Sequence, residues 1–297
     1  MNKKISQNLN DLMKRIIARI FPNYYFNSFY KNNIGGTNWN GRTACFSLSF
    51  DCDYEEDIAS IPILLDVLAS YSFKVSFACI GKFIEKYPEE HMKIIRGGHE
   101  IINHTNTHPN NEELNPDQKF NELAVEQKKS EIEKCHKTCV DILGYAPVGF
   151  RAPHFGRLHT EDVYDVLKEL GYKYSSSTSI AGTASFGLPF LKNGIIEFPL
   201  SNCPKHPLAV FDTWHSLRRG NGKHKKSGEF YGLFKKLIDI GINTNSYINL
   251  YFDPQDVVNL EEFRLVLDYI EERRGEIYVA TYKEIFENIY ERRRNRE

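Results

Sequence analysis

This chain of 297 residues has no run of about 18 consecutive apolar residues, so no segment of it is expected to cross a bilayer. Its N-terminus is polar and basic and holds no uninterrupted apolar stretch, so no secretory leader is visible. It also lacks any C-x-x-C pair. The six cysteines, Cys45, Cys52, Cys79, Cys135, Cys139 and Cys203, do not read as a disulfide framework in a chain this long, which favours a reducing compartment. Cys135 and Cys139 share a helix face. Two thiols packed in or beside the core are expected there, with a metal role as the alternative. An excess of basic charge is missing too: 38 Lys and Arg against 39 Asp and Glu give a formal net charge of -1, which argues against general nucleic-acid binding. Low-complexity stretches and short repeats are absent.

What is present is a regular alternation of strand-like and helix-like stretches, with a hydrophobic content of 41% that suffices for a real core. Strands are expected at 44–50, 75–80, 100–102, 148–150, 173–176, 195–198, 247–252 and 277–280. Helices are expected at 58–71, 91–96, from Asn115 to about Leu143, and at 160–170, 229–240 and 260–273, with Thr281 capping a last one. Seven or eight such units imply parallel strands with right-handed crossovers, curled into a closed or nearly closed barrel. The stretches 178–194 and 201–227 read as long loops that shape a substrate groove. Residues 3–21 read as a basic amphipathic helix stopped by Pro22 and followed by clustered aromatics. That suits a membrane interface, a cap on the barrel bottom or a dimer contact. The expected organisation is an extension over 1–41, a barrel over 42–290 and a charged, solvated tail over 291–297.

Three short segments carry chemistry. Ser49-Phe50-Asp51-Cys52-Asp53 places two carboxylates at the end of the first strand, Asn103-His104-Thr105-Asn106-Thr107-His108 places two imidazoles past the third, and Phe150-Arg151-Ala152-Pro153 places a guanidinium past the fourth. In parallel barrels that end of the strands is where active sites assemble. Two His and one Asp with an open position for water suit a hydrolytic metal ion, and the remaining carboxylate is free to act as a base. Taken singly, the aspartates could cap the following helix, the histidines could be capping or surface residues, and the arginine could be a structural ion-pair partner. Their coincidence at three strand ends favours one site.

Over roughly residues 42–290 these motifs resemble the polysaccharide deacetylases, carbohydrate esterase family 4 or NodB homology domain. Asp51 and Asp53 match that family's D-x-D branch, His104, Thr105 and His108 its H-[ST]-x-x-H motif with Gly98-His99-Glu100-Ile101 before it, Arg151 and Pro153 its R-x-P, and Glu197-Phe198-Pro199 its E-x-P element. The resemblance implies a distorted (β/α) barrel of about seven parallel strands and metal-assisted amide hydrolysis. A divalent ion, zinc by expectation, would be held by Asp53, His104 and His108, with Asp51 as base and Arg151 holding it ionised. Tyr251, Pro153 and Trp214 would contact substrate, Tyr251 at the acyl methyl and Trp214 by stacking on a sugar ring, unless Trp214 packs in the core.

One departure bears on the mechanism. Where the branch has a Y-x-H-P-W-E stretch carrying its general acid, this chain reads Tyr251-Phe252-Asp253-Pro254-Gln255-Asp256. Asp253 can donate a proton at neutral pH only if burial or a neighbouring carboxylate such as Asp256 raises its pKa. Alternatively His154, His206 or His215 reaches the site from a loop. The expected function is removal of an N-acyl group, by expectation acetyl, from a sugar of a surface glycan or lipid-linked precursor in the cytoplasm, with peripheral membrane contact through residues 3–30. The alternatives are a binding homologue weakened at Asp253 and an amidohydrolase acting on a small nitrogen compound.

Overall fold

The structure, a computed structural model, describes residues 12–30, 37–154, 160–218, 224 and 226–291. At its centre lies β1 (Ala44–Cys52), whose nine residues are all buried. Its two serines, Ser47 and Ser49, are buried and hydrogen-bonded, to Ala280 O (2.8 Å) and Tyr282 OH (3.0 Å), so both faces of the strand are covered. β1 pairs in parallel with β2 (Ser76–Cys79) on one side and with β8 (Tyr247–Phe252) on the other, and its first residues pair with β9 (Ile277–Val279). From β2 the sheet continues through β3 (Glu100–Asn103), β4 (Gly149–Phe150), β5 (Tyr174–Ser175) and β7 (Ile195–Glu197) to β6 (Phe190–Lys192). The expected distorted (β/α) barrel is present, as a curled nine-stranded sheet in which one pair, β6 with β7, is antiparallel.

That hairpin falls partly in the stretch expected to be loop. Its turn, Asn193-Gly194, has positive φ at both positions, 47° and 90°, the geometry of the two-residue turns favoured between antiparallel strands. No ladder joins the far edge of the sheet to β8 among the described residues. The segment after β7 closes the gap instead: Ser201 N donates to Asn249 O (2.8 Å), Asn249 N to Ser201 Oγ (3.1 Å) and Asn249 Nδ2 to Phe198 O (2.9 Å).

The helices cover the outside. α3 (Glu55–Tyr71) starts earlier than expected, its first turn carrying Glu55, Glu56 and Asp57 toward the positive end of the helix dipole. The crossover between β2 and β3 holds α4 (Gly81–Lys86) and α5 (Pro88–Arg96). α6 runs over Val125–Leu143 and not from Asn115. Asn115 serves elsewhere: its Nδ2 donates to Thr107 Oγ1 (2.8 Å) and its carbonyl accepts Asn110 N (2.8 Å), which folds the chain after His108 back on itself. α7 (Val163–Glu169), α8 (Thr213–Ser216), α9 (Glu229–Thr244), α10 (Pro254–Val257) and α11 (Glu261–Glu272) follow. Thr281 caps the last helix (Tyr282–Ile285) as expected, with Glu284 N donating to its Oγ1 (3.1 Å).

In the N-terminal segment, residues 12–20 form the helix α1, whereas 3–11 lie outside the described residues, as do 292–297 of the expected tail. Pro22 does not end the segment's helical structure but opens a second helix, α2 (Pro22–Ser28), where its fixed φ and missing N–H are tolerated. Phe26 and Tyr30 are fully buried in the main core, and Lys236 of α9 donates to Asn23 Oδ1 (2.6 Å). Leu12, Met13, Ile16 and Ile20, by contrast, stay exposed. All six cysteines are buried and free.

Candidate metal centre

His104 and His108 approach each other through a tight loop, not along a helix. Asn103 Oδ1 accepts Thr105 N (2.8 Å), Thr105 Oγ1 accepts His108 N (3.0 Å), and Thr105 and His108 both take positive φ, 67° and 47°. Such a conformation is costly for a β-branched residue and persists only where surroundings hold it. They do: Gly81 N donates to Thr105 O (3.0 Å), Lys82 N to Asn106 O (2.9 Å), and Glu131 Oε2 accepts Asn106 N (3.1 Å) and Thr107 N (2.8 Å). The absence of a side chain at Gly81 is required here, since a Cβ would lie 2.7 Å from Asn106 Oδ1.

The loop aims two imidazoles at Asp53. Asp53 Oδ1 lies 3.3 Å from His104 Nε2 and 3.7 Å from His108 Nε2. These three atoms are buried and none has a hydrogen-bond partner. Buried polar atoms left this way cost free energy unless something satisfies them. His104 Nδ1 donates to Arg151 O (2.9 Å), which fixes the ring with Nε2 toward Asp53, the orientation a metal ligand would need. Burial pushes His108 down to about 3 and so keeps it neutral, while His108 and His104, against burial, hold Asp53 below the usual carboxylate range. Asp53 and Asp51, against burial, raise His104, so a metal, which needs neutral imidazoles and an ionised carboxylate, would displace a proton favoured on His104. The three residues fit a divalent ion.

Asp51 stands behind this cluster, 2% exposed, its Oδ2 3.9 Å from His104 Nε2. Its Oδ1 is held by Arg151 Nη1. Arg151 is fully buried and spends its remaining donors on Ser49 Oγ (2.9 Å), Ser176 Oγ (3.1 Å), Tyr282 OH (2.6 Å) and Ser176 O (3.1 Å). Burial opposes its charge, but Asp51 outweighs that and keeps the guanidinium cationic. Burial lifts the Asp51 carboxyl above its ordinary value, against the pull of Arg151 and His104.

Asp253 belongs to the same neighbourhood. It precedes α10, is buried, and its Oδ2 is held by Arg218, which also meets Asp256 Oδ2 at 3.3 Å. Burial, then Asp57 and Asp53, raise its carboxyl, with Arg218 opposing. The neighbouring carboxylates that lift it are therefore Asp57 and Asp53; Asp256 shares its cation instead. The Arg218 guanidinium stacks between Tyr54 (5.1 Å) and Trp214 (5.6 Å). Trp214 is 57% exposed, so the core-packing alternative does not hold. Tyr251 lies with its ring 5.0 Å from the Arg151 guanidinium and donates to Asp212 Oδ2 (3.1 Å). Pro153 is buried directly after Arg151 and Ala152.

Of the loop histidines, His154 is near the cluster, its ring 5.2 Å from that of His108, and its Nε2 donates to Pro109 O (3.2 Å). His206 and His215 instead meet each other and Cys203. Glu197 braces the loop after β5, its Oε1 accepting Ser177 N (2.7 Å) and Thr178 N (2.8 Å) and its Oε2 accepting Tyr164 OH (3.0 Å).

Sequence reasoning missed several contributors. Asp57 Oδ2 accepts Asp53 N and Tyr54 N, each at 3.0 Å, and its Oδ1 accepts Gln255 N (3.2 Å), so one buried carboxylate ties the candidate ligand Asp53 to the turn after Asp253. The D-x-x-x-D spacing from Asp53 was the available cue. Arg218, Asp212, Ser49 and Tyr282 gave none.

Residues 40–175 match the polysaccharide deacetylase family profile. The chain is 32% identical over 98 residues to a peptidoglycan-N-acetylglucosamine deacetylase of Bacillus cereus, a stretch of 33% of this chain and 32% of that protein. It is 34% identical over 110 residues to a chitooligosaccharide deacetylase of Bradyrhizobium, 37% of this chain and 46% of that one. It thus spans less than half the length of these curated relatives. Among solved structures it shares its fold with a Mycobacterium smegmatis protein assigned as a polysaccharide deacetylase, at TM-score 0.69 and 18% identity, covering 85% of this chain and 92% of that one.

Proposed function

We propose that this chain, whose residues 40–175 match the polysaccharide deacetylase family over the stretch that holds its metal-ligand candidates, is a metal-dependent carbohydrate N-deacetylase acting on an N-acetylated sugar of a surface glycan or lipid-linked precursor. The observation that carries the reading is the convergence of Asp53 Oδ1, His104 Nε2 and His108 Nε2, buried and unpartnered, in front of the Asp51–Arg151 pair. A divalent ion, zinc in our reading of the mixed His and carboxylate donors, would polarise the acetyl carbonyl and make water acidic enough to attack at neutral pH.

The chain's own groups do the rest. Asp51 takes the water proton on Oδ2, since Oδ1 is committed to Arg151; a carboxyl lifted by burial accepts it more readily than an ordinary one. Arg151 fixes the orientation of that base. The amine leaving group takes a proton from Asp253 through Oδ1, because Oδ2 is held by Arg218, and the products are acetate and the free amino sugar. Tyr251 lines the acyl pocket, Pro153 shapes it beside Arg151, and the exposed Trp214 offers its face to a sugar ring.

The test is acetate release from N-acetylglucosamine oligomers by the zinc-loaded protein and by Asp51→Asn and Asp253→Asn. Release that falls roughly 10²–10⁴-fold in each variant, the usual worth of an acid or base, supports both roles. Release that rises in Asp253→His identifies a homologue weakened at this position. No release from any N-acyl sugar overturns the reading.

The exposed side chains Leu12, Met13, Ile16 and Ile20 beside Lys14, Arg15 and Arg19 support peripheral contact with an anionic membrane face, and six free buried thiols suit a reducing cytoplasm. Cosedimentation with anionic vesicles that is lost in a Leu12→Ser, Ile16→Ser, Ile20→Ser variant supports the contact; equal pelleting of both proteins sinks it.

A further inference from the structure

The stretch 201–227 holds a second convergence of ligand-type side chains, separate from the Asp53 cluster. Cys203 and His206 lie on the segment after β7, His215 on α8, and His224 arrives from beyond it. Cys203 Sγ is 3.3 Å from His224 Nε2 and 3.9 Å from His206 Nδ1, and His206 Nδ1 is 3.1 Å from His215 Nε2. One ligand atom from each of the four residues lies within 4.8 Å of all the others. Cys203 is buried and the three histidines are half-buried.

The separations have a chemical meaning. In a tetrahedral zinc site, bonds of about 2.3 Å to sulfur and 2.0–2.1 Å to nitrogen put ligand atoms roughly 3.3–3.6 Å apart. Three of the pairs, at 3.1, 3.3 and 3.9 Å, straddle that edge length, and all the ligand atoms lie within 4.8 Å of one another. A hydrogen-bonded set does not account for it as well. His206 Nδ1 faces both the thiol and the His215 nitrogen, and Cys203 Sγ faces both His206 Nδ1 and His224 Nε2. Hydrogen bonds would pair these groups, whereas the arrangement points four donors at one place.

We propose that Cys203, His206, His215 and His224 form a second metal site, a closed four-ligand centre for Zn²⁺ that is structural and not catalytic. Four protein ligands leave no open position for water or substrate, the mark of a structural site. Its position gives it a task. α8 carries His215 beside Trp214, and its N-cap Asp212 accepts both His215 N (2.7 Å) and Tyr251 OH (3.1 Å). Thr213 Oγ1 accepts Asp253 N (2.7 Å), and Arg218, just past α8, holds Asp253. An ion on His215 therefore pins α8, and through it Asp253, Trp214 and Arg218, over the Asp53 cluster. Cys203 and His224 lie 21 positions apart in the chain, and a cross-link between such positions removes conformational freedom from the unfolded chain.

Metal content and Co²⁺ spectroscopy of the full chain test the site, with Zn²⁺ and Co²⁺ themselves as probes. Two equivalents of zinc per chain are expected in the wild type, falling to one in His104→Ala/His108→Ala and to one in Cys203→Ser or His224→Ala. The cobalt-loaded His104→Ala/His108→Ala variant is expected to show a thiolate-to-cobalt charge-transfer band in the near ultraviolet, because the Asp53 cluster contains no sulfur; Cys203→Ser removes it. This spectrum decides the matter even if the cysteine variant fails to fold. One equivalent in the wild type that vanishes in His104→Ala/His108→Ala, with no charge-transfer band, overturns the proposal.

Discussion

Replacing Arg151 with Met is the sharpest probe of the buried pair behind the metal-ligand cluster. Methionine keeps an unbranched chain of similar reach and removes only the charge and the donors. Asp51 then remains 2% exposed without its guanidinium partner, and breaking a buried ion pair by removing one partner costs about 3–5 kcal/mol. The loss must depend on pH. An aspartate titrates near 3.9 when unfolded, whereas in the folded variant its carboxyl lies higher still than burial already places it in the wild type. Between those two values the folded state binds more protons than the unfolded one, so stability falls as pH rises. Urea titrations of the metal-free protein should therefore show a small deficit near pH 4–5 and the full deficit near pH 8. Acetate release should drop by about 10²–10⁴-fold, since a protonated Asp51 cannot take the water proton. The double variant Asp51→Asn/Arg151→Met should regain much of the stability and none of the activity, because replacing both partners leaves no buried charge. A deficit equal at all pH values, or one below about 1 kcal/mol, would refute the charge argument.

Three further outcomes follow from the same geometry. Binding of Zn²⁺ at the Asp53 cluster should weaken on mild acidification, because Asp53 and Asp51, against burial, raise His104, while His108 competes only near pH 3; calorimetry at pH 7.5 and 5.5 that gives equal affinities would contradict this. Gly81→Ala should cost about 1–3 kcal/mol and weaken metal binding, because the added Cβ meets Asn106 Oδ1 at 2.7 Å and Cys135 Cα at 3.1 Å beneath the histidine loop; unchanged melting and affinity would show that the loop yields freely. Burial pushes His99 down to about 4, and its Nδ1 accepts Val75 N (3.2 Å). Its contribution is complete above pH 6.5 and is lost as pH falls toward 4, up to roughly 3 kcal/mol, so His99→Gln should flatten the acid limb of stability against pH, and an unaltered limb would remove His99 as its cause.

What the sequence determined by itself was local in character. β1 is buried along its whole length, its apolar residues interrupted only by Ser47, Ser49 and Asp51, and each chemistry-bearing motif lies at or just past the end of a strand, so the barrel and Asp51, Asp53, His104, His108 and Arg151 could be read from the linear order. Thr281 and Glu284 form their cap within four residues, and that too was legible. The Asn193-Gly194 turn was equally local, though its hairpin read as loop. Only the tertiary structure decided which distant side chains complete the site. Tyr282 and Arg151 meet across 131 positions, Asp57 and Gln255 across 198, and Arg218 and Asp253 across 35. The same holds for Cys203, His206, His215 and His224, whose spacing follows neither a helix nor a strand period. Closing the sheet brings the carboxyl ends of strands far apart in sequence to one face, and buried polar groups there must find partners among whatever arrives. Periodicity within a strand or helix carries no record of that encounter.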